Sequence, residues 1–312
     1  MGSEMCIRDS SYCMLACGNE PSGRWVPWVS KFVDYWKATD PRHVYTGASV
    51  GGSWQWQPHN QYHVKAGARG LSWAGSQPES MSDYRAKIDS VKQPYVSHET
   101  GQWCAFPNFS EIRKYTGVNK AKNFEIFQDI LNDNHMGSMG HDFMMASGKL
   151  QAICYKHEIE KTLRTPDYAG FQLLALNDYS GQGTALVGLL DVFFEEKGYI
   201  NADEFRRFCS PTVPLARIPK FVYTNDETFH ADIEVSHFGA APLQGAKTVY
   251  SIKDEYGKVY AHGTVGTQNI PVGNLCPLGS VDMKLSGITR PQKLNMEIRI
   301  EGSDAVNDWD FW

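Results

Sequence analysis

The chain changes its hydrophobic rhythm near Pro211–Pro219. Before that point, short apolar runs alternate with longer amphipathic stretches. "SYCMLA" (11–16) predicts a strand. In "PSGRWVPWVSKFVDYWKATDPR", Trp25, Val29, Phe32 and Trp36 recur at i, i+4, i+7 and i+11, one face of a helix. Ser22 is the expected N-cap, and Asp40-Pro41 ends the element. The Trp stripe reads as core, not as a binding surface. "RHVYTGASV", "ARGLSW" and "QPYVSHETG" predict three further strands, with "SMSDYRAKIDSV" a helix between the last two. Strand ends near Glu20, Gly47, Trp73 and His98 recur every 25–27 residues, one βα unit each. That period belongs to a parallel sheet with crossover helices.

Residues 109–166 read as helical, punctuated by Gly117 and Gly137. "AGFQLLALN" predicts a strongly apolar strand ending at Asn177, Asp178 and Tyr179, and "ALVGLLDVFFEEKGY" a helical stretch. From Lys220 onward, "KFVYTND", "FHADIEVSHFG", "KTVYSIKDEYGKVYAHGTV" and "LNMEIRIEG" alternate and are separated by turn residues, with a hairpin turn at Asp254–Gly257. These segments predict an all-β sandwich. Trp309 and Trp312 sit in what reads as the middle of a strand.

Composition narrows the function. The net charge is −5 with 21% charged residues, without a basic cluster, so neither nucleic acid nor a membrane surface is an expected partner. Aromatics make up 12%, including nine Trp and fifteen Tyr, which suits flat, amphipathic ligands such as sugars. The seven cysteines lack C-x-x-C spacing and read as buried free thiols. "MGSEMCIRDS" has no signal-peptide core. Met5–Ser10 is what a transposase-adapter end would encode, so residues 1–10 are expected to be a non-native tail.

Ligand sites in βα folds lie at the C-terminal ends of the strands. Those positions carry Asn19-Glu20, Trp73, His98-Glu99 and Asn177-Asp178. If "AGFQLLALN" is the eighth strand of a barrel, Glu20 and Glu99 follow the fourth and the seventh and face each other across its mouth. Two opposed carboxylates are what glycosidic cleavage needs. One donates a proton to the leaving oxygen; the other attacks the anomeric carbon or activates water. A separation of about 5–5.5 Å makes the second a nucleophile, with retention of configuration.

"GNEPSG", "YVSHETGQW", "AGFQLLALNDYSGQGTALVGLLDVFFEEKGY" and the sandwich that follows resemble glycoside hydrolase family 2, of the kind found in polysaccharide-degrading Bacteroidetes. The resemblance covers residues 11–312. It implies Glu20 as acid/base, Glu99 as nucleophile and Asn19 on the sugar 2-hydroxyl. The implied activity is that of a retaining exo-β-glycosidase, β-galactosidase-like, acting on a glycoside or oligosaccharide without cofactor or metal. The alternative is a non-catalytic carbohydrate-binding protein. The implied fold class is α/β plus all-β: about strands 4–8 of a (β/α)8 TIM barrel (11–212), then an immunoglobulin-like sandwich (213–312). The family's N-terminal domains and first three barrel strands have no counterpart here. The chain is therefore expected to be a fragment, truncated at its C-terminus too, of a periplasmic or secreted parent. Five strands cannot close a barrel, so the isolated fragment is expected to be inactive and aggregation-prone.

His98 reads either as a substrate contact or as a packing residue. Of Trp54, Trp56, Trp73 and Trp103, at least one is expected to stack on a sugar face. Asp178 and Tyr179 either line the pocket or cap the following turn. "GASVG" (47–51) matches a nucleophile elbow around Ser49, but it leads into a loop where the elbow needs a helix. "GQGTALVG" lacks the dinucleotide fingerprint. His59 and His63 are four apart, but Pro58 and Asn60 disfavour the helix that a metal pair would need.

Overall fold

Five short parallel strands and their connections form the first of two units in the computed structural model. The model describes residues 12–179, 183 and 185–312. The expected tail at 1–10 lies outside the described residues, as do Gly181, Gln182 and Thr184 of the glycine-rich stretch. The first unit comprises chain up to Gly70, Tyr84–Thr100 and Asp167–Leu174. The second comprises Leu71–Asp83, Gly101–Pro166 and Ala175–Trp312.

In the first unit, β1 (Met14–Asn19) pairs in parallel with β2 (Val44–Ser49), Leu15 opposite Tyr45 and Asn19 opposite Ser49. β3 (His63–Lys65), β4 (Tyr95–Thr100) and β5 (Tyr168–Leu173) form a second parallel set in that order. A parallel bridge between Val50 and Lys65 connects the sets, with Val50 N–H donating to Val64 O at 3.1 Å. Helix α1 (Val26–Thr39) crosses between β1 and β2, burying Val29 and Val33 and half-burying Trp25, Phe32 and Trp36. The expected stripe is therefore the inner face, and Trp36 stacks on Tyr45 of β2 with ring centroids 6.2 Å apart. Ser22 does not cap this helix. It starts at Val26, without a side-chain cap and with Pro27 in the first turn, where a missing N–H is harmless.

Three elements depart from the sequence reading. "ARGLSW" is not a strand; the third strand is His63–Lys65, one segment earlier. Gly67 and Gly70 take φ of +113° and +80°, which breaks an extended ladder there. "SMSDYRAKIDSV" yields only α2 (Arg85–Ile88). The Glu79 carboxylate accepts from the backbone N–H of Met81 and Ser82 and from Ser82 Oγ, a local turn that competes with the helix. "ALVGLLDVFFEEKGY" is not helical either. Asp191 Oδ1 accepts from the N–H of Phe193 (2.8 Å) and Glu195 (2.9 Å), and Phe194 sits at φ +63°. In addition β5 ends at Leu173, four residues before Asn177, which makes only an isolated bridge to Leu190.

The second unit joins a helical layer to two antiparallel sheets. The helices are α3 (Lys122–Asp133), α4 (Gly140–Leu163) and the short α5 (Ala202–Arg206), preceded by a 3-10 turn at Phe109–Lys114. One sheet orders β10 (Gly273–Lys284), β7 (Thr228–His237) and β6 (Thr212–Arg217). The other orders β12 (Val306–Phe311), β11 (Leu294–Ile300), β8 (Leu243–Asp254) and β9 (Val259–Ile270). Their inner faces share one apolar core, including Ile233 and Val235 of β7, Ile252 of β8, Met296 and Ile298 of β11 and Trp309 of β12. Phe229 stacks on Phe311 with centroids 4.0 Å apart. The β8–β9 hairpin turns at Asp254–Lys258, where Gly257 adopts φ +84°. The buried Glu160 of α4 ties helix to sheet: it takes hydrogen bonds from Asn307 Nδ2 (2.8 Å) and Trp309 Nε1 (2.9 Å) and pairs with Lys156 (2.5 Å). The cationic neighbours hold its carboxyl below the usual range against the opposing effect of burial.

Candidate active site

Among the described residues, six non-glycine residues have positive φ, and Glu20 (+43°) and Glu99 (+54°) are two of them. This region of backbone space costs about 1–3 kcal/mol for such residues and clusters at functional sites. Glu20 is the first residue past β1. Its N–H donates to Ser49 O at 2.9 Å, which pins the turn while the side chain stays exposed. Glu99 lies inside β4, where the pairing with β5 shifts register between Ser97 and Thr100. The left-handed step falls at Glu99, the one residue of β4 that is not fully buried.

Each of Glu20, His98 and Glu99 places a side-chain oxygen or nitrogen within 4.8 Å of the other two. The two carboxylates predicted to act together do meet. His98 is 5% exposed, and its Nε2 lies 3.5 Å from Glu99 Oε1. Neither ring nitrogen has a hydrogen-bond partner, a deficit worth about 1–3 kcal/mol for a buried polar group. His98 is thus no satisfied packing residue. Asn19 closes β1, exposed and opposite Ser49.

Arg69 is the residue the sequence reading missed. Its Nη1 donates to His98 O (2.6 Å) and Glu99 O (2.9 Å) and lies 3.5 Å from Glu99 Oε2. It holds both the backbone and the carboxylate of Glu99. Arg69 sits between the two positive-φ glycines of "GARG", and that glycine pair was the available signal. A cleft of about 320 Å³ opens in the same unit, lined by residues including Arg24, Trp25, Trp54 and Gln55. Trp25 and Trp54 stand 5.9 Å apart there. Trp56 instead lies under Lys65 Nζ, 4.3 Å from its ring centre.

Trp73, Trp103 and Asp178 belong to the second unit, where each has a structural partner. Trp73 does not follow a strand. It packs edge-on against His157 (4.7 Å) and Phe221 (6.3 Å). Trp103 donates from Nε1 to Glu158 Oε2 at 2.6 Å. Asp178 is buried, ion-paired to Lys197 (2.5 Å), and accepts from Gly188 N–H at 2.8 Å, so it fastens the following turn. A Cβ on Gly188 would lie 2.2 Å from Asp178 N, so only glycine allows this approach. Burial pushes the Asp178 carboxyl up, against the pull of Lys197. Tyr179 is exposed. Ser49 is buried within β2, far from the strand-to-helix turn of a nucleophile elbow. His59 pairs with Asp34 at 2.8 Å, not with His63.

A family model described as a domain of unknown function, DUF8488, matches residues 227–312. No curated protein matches the sequence. Among solved structures, an exo-chitosanase from Amycolatopsis orientalis aligns at 12% identity and a TM-score of 0.44, over 96% of this chain and 36% of its own. A β-glucuronidase from Parabacteroides merdae aligns at 9% identity and a TM-score of 0.37, over 96% and 37%. An FMN-binding β-glucuronidase from Facaelibacterium prausnitzii L2-6 aligns at 11% identity and a TM-score of 0.31, over 96% and 40%. These structural neighbours are glycosidases, and the chain spans 36–40% of their length. Among the described residues, no helix is long and apolar enough to cross a membrane.

Proposed function

We propose that this chain carries the catalytic carboxylate pair of a retaining glycoside hydrolase, with β-galactosides the first substrates to test. The observation that supports this reading is the approach of Glu20 and Glu99 within 4.8 Å, both on left-handed backbone. An approach within that limit is compatible with the roughly 5–5.5 Å between the carboxyl groups of retaining enzymes. In this mechanism a Glu99 oxygen attacks the anomeric carbon as Glu20 protonates the departing glycosidic oxygen. The C–O bond to the leaving group breaks, and a C–O bond to Glu99 forms. Glu20, now ionised, takes a proton from water, whose oxygen displaces Glu99 from the same face that the leaving group left. Arg69 fixes the Glu99 carboxylate for the attack, and Asn19 is the candidate partner of the sugar 2-hydroxyl. The parallel strands β1–β5 fit a barrel segment and the two sheets an immunoglobulin-like sandwich, in a periplasmic or secreted enzyme.

The test uses nitrophenyl and alkyl β-glycosides with the full-length gene product that contains this chain. Glu20→Ala should lose about 10²–10⁴-fold on alkyl glycosides, whose leaving group needs the proton. Nitrophenyl substrates should react fast to a stalled covalent intermediate, and azide should release it as a β-glycosyl azide. Equal losses on both substrates without azide rescue would remove Glu20 from the acid/base role. Sugar binding without turnover by the unmodified protein would favour the non-catalytic alternative.

A further inference from the structure

We propose that Glu20, His98 and Glu99 form a binding site for a divalent transition-metal ion of the zinc or cobalt type. The argument starts from His98. It is a buried imidazole with two idle nitrogens, and its Nε2 faces a carboxylate. One oxygen or nitrogen from each of the three residues lies within 4.8 Å of the others. In a tetrahedral site with bonds of about 2.1 Å, neighbouring ligand atoms stand about 3.4 Å apart. The 3.5 Å between His98 Nε2 and Glu99 Oε1 already matches that edge. Glu20 is exposed, so its side chain is free to swing in as the third ligand.

The donor set selects the ion. One imidazole and two carboxylates suit zinc, cobalt or nickel, whereas calcium and magnesium prefer sites made of oxygens alone. Arg69 offsets one of the two negative charges, and the other remains to attract a dication. Cys17 in β1 and Cys13 just before it are the competing ligands a test must separate. Metal binding itself does not depend on the glycosidase reading. Its consequence does: an ion held there would engage both Glu20 and Glu99 and block the acid and the nucleophile together.

Cobalt(II) titration followed by visible absorption, with zinc calorimetry alongside, tests this on the full-length gene product that contains this chain, kept reduced by a phosphine rather than a thiol. One equivalent should bind and show ligand-field bands without thiolate charge transfer. His98→Ala should weaken binding by about 10²-fold. Glu20→Gln changes only an exposed side chain, and it should weaken binding as well while the metal-free melting temperature holds. Unchanged affinity in Glu20→Gln, a thiolate charge-transfer spectrum, or no saturable binding would each overturn the proposal. Hydrolysis of glycosides that zinc does not inhibit, with no cobalt bands, would overturn this inference and leave the glycosidase reading intact. Cobalt bands lost in His98→Ala, in a protein that cleaves no glycoside, would do the reverse.

Discussion

β4 and β7 are both largely buried strands, but they are built to opposite ends. β7 sends Phe229, Ala231, Ile233 and Val235 into the shared core of the antiparallel sheets, one apolar residue at every second position. β4 buries Tyr95 and Val96 and then turns polar: Ser97, His98 and Thr100 are all buried, with Glu99 left-handed between the last two. The hydroxyl of Thr100 and both ring nitrogens of His98 have no hydrogen-bond partner. In β7 each inward position adds stabilisation. In β4 the inward positions forgo it, and what they hold in exchange is a cluster of groups able to do chemistry.

The sharpest way to break that contrast is Glu99→Gln. If β4 is built for chemistry, turnover should fall by about 10⁴-fold or more while the melting temperature stays within a degree or two of wild type. A large loss of stability with activity retained would place Glu99 in the same category as the β7 residues. Phe229→Ala probes the other side. It removes a fully buried ring stacked on Phe311 and should cost about 3–5 kcal/mol in denaturant unfolding. The folded fraction should keep its catalytic rate.

Two buried titratable groups of the second unit sharpen the comparison through pH. Burial drives His157 down to about 3, so the native state keeps it neutral while the unfolded chain protonates near 6.5. Its contribution is complete above about 6.5 and fades as pH falls towards 3. Burial, aided by the charge of Asp191, drives Glu111 up to about 7. Its contribution is complete below about 4.5 and fades as pH rises towards 7. The two oppose each other between about 4.5 and 6.5. Glu111→Gln removes the acid of this pair, and the slope of unfolding free energy against pH should then rise, relative to the unmodified protein, by up to about 1.4 kcal/mol per unit in that window, a rise that His157→Gln should reverse. An unchanged slope when His157→Gln is added would refute the His157 assignment. The smallest effect is expected at α5, where Asn201 and Glu204 form a capping box. Asn201→Ala should cost about 1 kcal/mol in chemical denaturation.

How much of this could be read from the sequence depended on which force placed each residue. Alternation marked β7, β8 and β11 because one face of each is buried and the pattern is the burial. β3 escaped because His63, Val64 and Lys65 are all buried, two of them polar, and no alternation survives. The segment 185–199 looked helical by its apolar spacing. Asp191 and Asp178 override that spacing with hydrogen bonds to nearby N–H groups, which composition does not announce. Glu20 and Glu99 could be found because each follows or interrupts a strand in a recognisable motif. The glycines of "GARG" mark the turn around Arg69 but not its role, which runs through the carbonyls of His98 and Glu99 and so depends on tertiary placement.

The left-handed backbone at positions 20 and 99 sets two kinds of selection against each other. Glycine or asparagine would relax the chain at either position. A library screened for survival at high temperature should therefore enrich Glu99→Gly and Glu20→Asn, and the enriched clones should be dead enzymes. On the proposed function, the most durable version of this molecule and the working version would be different sequences, parting at Glu20 and Glu99.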